Sequence, residues 1–402
     1  MKNVKMFLAA VCVILASTLF VFNTGYSKEA RGVTKDAIKI GIMLDLTGPI
    51  ATDCIPMGKG MRTYFRHIND QGGVGGKKIR GITEDFRYSI PTALAVFKKL
   101  IFRNKVLALG GLPSTGAMVA MFSQFEKEKA PIISLGSADR MIAPYKRYVF
   151  PIMTSYGGQI RVMFDYIINE LKVKDPRVAI IYPDVEFGKV ALNHVRECSK
   201  FYSVKLVDEE VLNFGVTDAG SQILGMKRAK ADFVFMQMPI AQSVIVLREA
   251  RKYGYKPRNF FGTYASGHDE VVRMAGKTAH NLIATNSSNS WSIKTRGIER
   301  LKKITLGYYP EPERDIYTRY YIQGWVIGEL LVEGMKKAGK GLDNESLVDA
   351  LEKLRDFETG DLFGPITYTP TKHLGAEYCR LFKADMDKKV LVPIGGWRKP
   401  SW

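Results

Sequence analysis

The sequence predicts an α/β protein built from two Rossmann-like lobes, each with a parallel central sheet. Apolar runs rich in β-branched residues alternate with segments whose apolar residues recur at helical spacing, the pattern of repeated βα units. The number of strands favours two sheets over one. A length of 402 residues is in keeping with two domains.

The first strand illustrates the reasoning. Residues 37–46 form a near-continuous apolar run in which Ile38, Ile40 and Ile42 suit a strand buried on both faces. The same pattern predicts strands at residues 78–85, 106–110, 131–135, 178–182, 204–212, 232–238, 260–263 and 282–285. Helices are predicted between them at residues 57–68, 91–102, 117–127, 189–201, 218–230, 241–253 and 269–275.

The C-terminal part has a different pattern. Residues 315–338 predict one long helix, and Asn344 is expected to cap another that ends near residue 354. A strand at residues 364–368 and a hairpin over 380–382 and 390–393 follow. A chain that returns to helices after two sheets can cross between lobes more than once, which would place a hinge and a cleft between them.

The N-terminus predicts a cleaved secretory signal over residues 1–27. Lys2 and Lys5 precede an apolar run at residues 6–22, which ends in a short polar stretch. The rival interpretation is an uncleaved membrane anchor, for which the run is at the lower limit of length. Export implies an oxidising compartment. Three cysteines remain in the mature chain, and they allow either one disulfide or three inert thiols: Cys54, Cys198 and Cys379.

The chain carries 59 Lys and Arg against 40 Asp and Glu, a formal net charge of +19. Such a balance can indicate nucleic-acid binding. The cations are scattered over predicted helix faces and turns, however, and no aromatic and basic stripe accompanies them. We therefore expect no nucleic-acid partner.

Enzyme motifs are not found. The sequence holds no nucleophile elbow, no P-loop lysine and no metal-type spacing among its five histidines. We expect a protein that is not an enzyme and needs no cofactor or metal.

Two loops suit anion binding instead. Residues 110–116 follow a strand and open a helix, so Ser114 and Thr115 stand at a helix N-terminus with unpaired backbone N–H groups. These hydroxyls could equally serve only as helix caps. Residues 134–139 follow the next strand, at the carboxyl edge where open α/β sheets bind ligands.

Several segments together resemble one family. Residues 40–49 end in Leu46-Thr47-Gly48-Pro49, and residues 68–79 contain Asn69 followed by Gly72-Gly73 and Gly75-Gly76. Further matching segments lie at residues 131–134, 178–182, 186–188 and 363–366. The pattern resembles the branched-chain-amino-acid type of periplasmic substrate-binding protein of ABC transporters, with the type I periplasmic binding protein fold.

The resemblance implies two lobes joined by three crossovers, with a ligand clamped between them. Lobe 1 would comprise residues 36–149 and 285–362, and lobe 2 residues 150–284 and 363–402. The family's carboxylate-binding hydroxyl falls on Thr115, between Ser114 and Gly116. Its second ligand loop falls on three residues: Gly136, Ser137 and Ala138.

The departures from the family concern the ligand's ammonium. The family's acidic residue of the second lobe is matched by Tyr264, a family tyrosine by Pro239, and an aromatic position of the first loop by Asp53. Phe187 keeps its aromatic position. Either Asp53 supplies the missing charge from the opposite lobe, or the ligand is a carboxylate without an ammonium and with an apolar or aromatic body. We favour the second, because Tyr264 and Phe187 would make a less charged pocket.

The function implied by the resemblance is that of a monomeric periplasmic receptor that delivers a small carboxylate-bearing ligand to an inner-membrane ABC permease. The alternative is a soluble sensor of the same fold that signals to a membrane partner.

Overall fold

The computed structural model describes residues 30–311 and 313–401. The predicted signal segment, residues 1–27, lies outside them. Among the described residues, no helix combines the length and the apolar character needed to cross a membrane.

The first lobe is built on a five-stranded parallel sheet. Its strands are β1 (Ala37–Leu44), β2 (Lys78–Asp85), β3 (Ala108–Gly111), β4 (Ile132–Ser134) and β5 (Val149–Pro151), in the order β2-β1-β3-β4-β5. Strands β3, β4 and β5 are buried along their whole length, because helices cover both faces of a parallel sheet.

The second lobe repeats this arrangement. Strands β6 (Arg177–Tyr182), β7 (Lys205–Val211), β8 (Phe233–Met236), β9 (Asn259–Gly262) and β10 (Leu282–Asn286) are parallel, in the order β7-β6-β8-β9-β10. Two antiparallel strands extend it beyond β10: β13 (Cys379–Asp385) and β14 (Val390–Arg398). The two mostly parallel sheets confirm the predicted fold class.

A two-stranded sheet of β11 (Ile366–Thr369) and β12 (Lys372–Ala376) lies beside the first sheet. The Tyr368 hydroxyl donates to the carbonyl of Pro151 at 2.9 Å, and Ala376 N–H donates to the carbonyl of Ile152 at 3.2 Å. Residues 366–376 therefore contact the end of β5, although the predicted division assigned them to lobe 2. Strand β5 itself runs across the predicted boundary at residue 149.

Twelve helices cover the sheets within the described residues: α1 (Ala51–Asp70), α2 (Ile90–Lys98), α3 (Thr115–Lys127), α4 (Asp139–Ile142), α5 (Tyr156–Asp165), α6 (Glu186–Phe201), α7 (Gly220–Arg228), α8 (Ile240–Lys252), α9 (Asp269–Ala275), α10 (Arg296–Tyr308), α11 (Arg319–Ala338) and α12 (Asn344–Leu351). The late helix α11 returns to the first lobe and packs along α1. Gly60 and Gly324 make this approach possible. A Cβ on Gly324 would lie 1.8 Å from the Met57 carbonyl oxygen, and one on Gly60 would lie 2.0 Å from that of Tyr321.

Two predicted helix starts were wrong. The segment expected as one helix from residue 315 begins with a 3₁₀ turn, Arg314–Tyr317. Thr318 then caps α11 by accepting from Tyr321 N–H at 3.1 Å. Asp343, not Asn344, caps α12, because its carboxylate accepts from Ser346 N–H at 2.8 Å while the Ser346 hydroxyl accepts from Asp343 N–H.

The three cysteines in the described part of the chain, Cys54, Cys198 and Cys379, are buried free thiols. Burial raises the pKa of each thiol, so the reactive thiolate is disfavoured.

Candidate ligand-binding site

A cavity lies where the carboxyl ends of the two parallel sheets meet. In both sheets the strand order reverses at the first strand, β1 and β6, and ligands of such sheets bind at this switch point. The first lobe and α11 contribute Ile50, Asp53, Cys54, Met57, Tyr88, Pro113, Leu135 and Tyr320. The second lobe contributes Phe187, Phe214, Pro239, Tyr264 and Ala265. The space that a water-sized sphere can reach between them is small, about 30 Å³.

The cavity wall is aromatic and nearly uncharged. Its rings are those of Tyr88, Phe187, Phe214, Tyr264 and Tyr320. Among the described residues that line it, Asp53 is the one carboxyl group, and none is Lys, Arg or His. Such a wall suits a small ligand with an apolar or aromatic body.

Asp53 stands in the first turn of α1 and is 4% exposed. Its carboxylate accepts from the Thr52 hydroxyl at 3.3 Å. Burial raises the pKa of Asp53 to about 7, although the Tyr320 and Thr52 hydroxyls favour the ionised form. The carboxyl is thus poised between its neutral and charged forms near neutral pH.

Tyr320 reaches the cavity from the second residue of α11. Its ring stacks on His268 of the second lobe, with centroids 4.1 Å apart. Burial lowers the pKa of His268 well below its usual range, so this imidazole is neutral. The adjacent Arg319 is also buried, but its guanidinium lies over the Phe382 ring and donates to the Ser288 carbonyl.

The anion-binding loop predicted at α3 lies beside the cavity. Ser114 caps α3 by accepting from Ala117 N–H at 3.4 Å, and the Tyr88 hydroxyl lies beside it. Thr115 and Tyr156, the first residue of α5, share a hydroxyl–hydroxyl hydrogen bond of 3.1 Å. Gly116 lies in the first turn of α3. A Cβ added to it would lie 3.9 Å from the Cβ of Glu186, so this turn faces the second lobe closely.

Tyr156 connects this loop with the aromatic wall. Its ring stacks on Tyr264 with centroids 5.9 Å apart and meets Phe187 edge-on at 5.6 Å. A hydrogen bond holds the backbone of Tyr264 in place, since its N–H donates to the Gln159 side chain at 2.8 Å. The wall of the second lobe is therefore one packed set of rings.

The loop after β4 lies behind Tyr156. The Ser137 hydroxyl donates to the Met153 carbonyl at 2.5 Å, and the Ser137 carbonyl accepts from Tyr156 N–H at 3.1 Å. A Cβ on Gly136 would lie 3.6 Å from the Tyr156 hydroxyl, and Ala138 is fully buried.

Of the predicted site residues, Asp53, Phe187 and Tyr264 line the cavity. The others are not among the residues that line it: Ser114, Thr115, Gly116, Gly136, Ser137 and Ala138. Sequence reasoning missed the aromatic residues Tyr88, Tyr156, Phe214 and Tyr320. Tyr88 and Phe214 follow the parallel strands β2 and β7, so the rule that ligands bind at carboxyl strand ends could have found them.

Similarity to known proteins identifies the family of the chain. A model of the family described as periplasmic binding protein matches residues 37–389. The chain belongs to this family. The predicted family is thereby confirmed, and periplasmic binding proteins are an extracytoplasmic class of protein.

Two curated relatives illustrate the sequence similarity. A Leu/Ile/Val-binding protein homolog from Brucella abortus is 27% identical over 343 residues, covering 80% of this chain and 82% of the relative. The leucine-, isoleucine-, valine-, threonine- and alanine-binding protein of Pseudomonas aeruginosa is 23% identical over 326 residues, covering 81% and 84%. Both are named as solute-binding proteins, not as enzymes.

Two solved structures share the fold of this periplasmic binding protein. A branched-chain amino acid ABC transporter protein from Thermus thermophilus with bound valine superposes with a TM-score of 0.85 at 21% identity, covering 92% of this chain and 98% of that one. A fatty acid ABC transporter substrate-binding protein from Thermomonospora curvata gives a TM-score of 0.82 at 19% identity, covering 93% and 95%.

Proposed function

We propose that this protein is the periplasmic solute-binding receptor of an ABC importer, and that it clamps a small carboxylate-bearing ligand between its lobes for delivery to an inner-membrane permease. The observation that carries the proposal is the cavity at the carboxyl ends of both sheets, to which each lobe contributes side chains. The receptor acts as a monomer and catalyses no reaction.

The ligand's carboxylate binds at the N-terminus of α3. The unpaired backbone N–H groups of a helix N-terminus favour an anion, and the hydroxyls of Ser114 and Thr115 add donors. To reach Thr115 the carboxylate takes the place of the Tyr156 hydroxyl. Gly136 and Ser137 border the same place, since both lie against Tyr156, and Ala138 follows them in the loop.

The ligand's body lies against the aromatic wall, and we favour an acid that has no ammonium group. Tyr264 stands where amino-acid-binding members carry their acidic residue, and the wall offers mainly ring faces. The fold accommodates both classes, since one of the similar structures is named for a fatty acid and the other holds valine.

Binding is coupled to closure of the lobes. Because each lobe supplies part of the contact surface, the ligand binds the closed form more tightly and shifts the equilibrium between open and closed forms. The closed form is the one that docks on the permease.

Isothermal titration calorimetry with benzoate, phenylacetate, isovalerate, hexanoate and leucine tests the proposal. We expect at least one of the four acids to bind more tightly than leucine. Tight binding of leucine with none of the acids bound would overturn the preference for an acid without an ammonium. Failure of all five to bind would overturn the proposed ligand class.

A further inference from the structure

One titratable ion pair crosses from the first lobe to the second. His194 belongs to α6 of the second lobe, and its Nε2 contacts the carboxylate of Asp139, the first residue of α4 in the first lobe. The His194 side chain is only 12% exposed, so water screens this contact little on that side. We call these two residues the lobe-bridging pair. A movement that parts the lobes separates them.

Two further contacts hold the His194 ring on its own lobe. Its Nδ1 lies 3.1 Å from the carboxylate of Glu197, one turn further along α6. The ring also lies against Gly157 of α5, where an added Cβ would be 2.7 Å from the ring carbon Cε1. Glu197 and Gly157 move together with His194, so the contact with Asp139 is the one that depends on closure.

Both ring nitrogens of His194 therefore face carboxylates, Asp139 at Nε2 and Glu197 at Nδ1. An ionised carboxylate only accepts hydrogen bonds, so each of these contacts needs an N–H on the ring. The neutral imidazole has one N–H, and the imidazolium has two. The closed arrangement is thus complete only when His194 carries a proton on both nitrogens.

The charges around the lobe-bridging pair agree with this geometry. Burial lowers the pKa of His194, but Asp139 and Glu197 raise it above its usual value, against burial and the Arg161 guanidinium of α5. Burial raises the pKa of Asp139, but His194, the Ser155 hydroxyl and Arg161 bring it below its usual value. Asp139 therefore stays ionised over the range in which His194 titrates.

The other surfaces of α6 have their own partners. Arg196 stands two residues from His194, on the opposite side of the helix, and its Nε donates to Glu209 of β7 at 2.7 Å. Tyr182 of β6 interacts with both members of that pair. Where α6 approaches α3, the facing residue is Gly116, which carries no charge.

We propose that His194 and Asp139 couple closure of the lobes to protonation, so that the receptor holds its ligand more tightly at acidic than at alkaline pH. The inference rests on the proposed function, because it requires a ligand that binds between closing lobes. The proton comes from solvent and is bound by a ring nitrogen of His194. Neither residue lines the cavity, so both are positioning residues that act through the equilibrium between open and closed forms.

The direction of the pH dependence follows from linkage. Opening removes Asp139 from His194, so the pKa of His194 is higher in the closed form than in the open form. The lobe-bridging pair therefore favours closure fully below the pKa of the open form. This contribution is lost as the pH rises through the pKa of the closed form.

A second pair between the lobes provides a contact that does not titrate. Arg140 follows Asp139 in α4, and its Nη1 lies 3.5 Å from Oε1 of Glu186 in α6. A guanidinium keeps its proton at every pH that the protein tolerates. Arg140→Gln should therefore weaken ligand binding by the same factor at each pH, whereas a change at His194 should alter the pH profile.

A disulfide between the lobes tests the inference without any ligand. A Cβ on Gly116 would lie 3.9 Å from the Cβ of Glu186, within the spacing that a disulfide needs. In Gly116→Cys/Glu186→Cys, NMR titration should give a higher pKa for His194 in the oxidised protein than in the reduced one. Asp139→Asn in the same background should abolish that difference. An equal His194 pKa in the oxidised and reduced proteins would overturn the inference, whatever the ligand is.

Calorimetry with the tightest-binding acid among benzoate, phenylacetate, isovalerate and hexanoate measures the effect on affinity. Because Asp53 also titrates, with a pKa raised by burial to about 7, the lobe-bridging pair's share is the difference between wild type and His194→Gln. This variant keeps a donor but does not titrate. We expect it to lose about threefold to tenfold of the decrease in affinity between pH 5.5 and pH 8.5. His280→Gln changes an exposed histidine of the second lobe and should keep the wild-type profile.

The outcomes separate the inference from the proposed function. Equal pH profiles for wild type and His194→Gln would overturn the coupling and leave the receptor function in place. Failure of every acid to bind would overturn the proposed ligand class, and the disulfide-locked protein would then decide the coupling by itself.

Discussion

The hydroxyl of Tyr156 in the second lobe lies 3.1 Å from the hydroxyl of Thr115 in the first. This contact bridges the lobes at the loop where we place the ligand's carboxylate. A carboxylate that binds there takes the place of the Tyr156 hydroxyl as the partner of Thr115. The hydrogen bond between the two side chains is then replaced by a charge-assisted hydrogen bond from Thr115 to the ligand.

Thr115→Ala should weaken binding of the acid about tenfold, because a hydroxyl that donates to a carboxylate contributes roughly 1.4 kcal/mol. Tyr156→Phe is the matched variant, since it removes the competing hydroxyl and keeps the ring. It should bind at least as tightly as the wild type in calorimetry. If Thr115→Ala binds normally, the carboxylate does not lie at α3.

Removal of the Tyr264 ring should weaken ligand binding without unfolding the protein. The ring lines the cavity and stacks on Tyr156, so Tyr264→Ala should reduce affinity by a factor of about ten to a hundred. Tyr264→Phe keeps the ring and should stay within about threefold of the wild type. Circular dichroism checks the fold of both variants. Equal affinities of Tyr264→Ala and wild type would remove Tyr264 from the site.

Asp53→Asn should make the ligand-free protein more stable at high pH. Burial raises the folded-state pKa of Asp53 to about 7 from 3.8, so the ionised form is disfavoured by folding. Its contribution to stability is therefore full at low pH and is lost as the pH rises from about 4 to about 7. We expect the variant to exceed the wild type by roughly 1–3 kcal/mol near pH 8, and by little near pH 4.

Denaturant unfolding of both proteins over this pH range measures that difference. A gap between variant and wild type that is the same near pH 4 and near pH 8 would contradict a raised pKa for Asp53.

Gly324→Ala should destabilise the first lobe by about 3 kcal/mol, because the added methyl group would force α11 away from α1. Gly307→Ala in α10 is the control. Among the described residues, no heavy atom other than those of its chain neighbours and its own helix backbone lies within 4 Å of its added Cβ, so this change should stabilise by about 0.5–1 kcal/mol through helix propensity. Thermal unfolding measures both. Similar melting temperatures for the two variants would contradict the close approach of α1 and α11.

The site could be predicted where it depends on local sequence. Ser114 and Thr115 stand between a strand and a helix, and that pattern alone identifies a helix N-terminus beside a sheet edge. Tyr156 and Tyr320 have no such signal, because each reaches the site through the packing of one lobe on the other. Asp343 and Asn344 are both good capping residues, and only the contact with Ser346 distinguishes them. The fold class could be predicted from the hydrophobic periodicity of the sequence. The aromatic rings that face the ligand could not, because their positions depend on tertiary structure.

Native mass spectrometry of the protein purified from its own host tests the central claim most directly. We predict one small molecule bound per chain, identified after release as an organic acid without an amino group, and depleted from the Tyr264→Ala and Thr115→Ala variants. A bound compound without a carboxylate, or one retained in full by both variants, would contradict the claim.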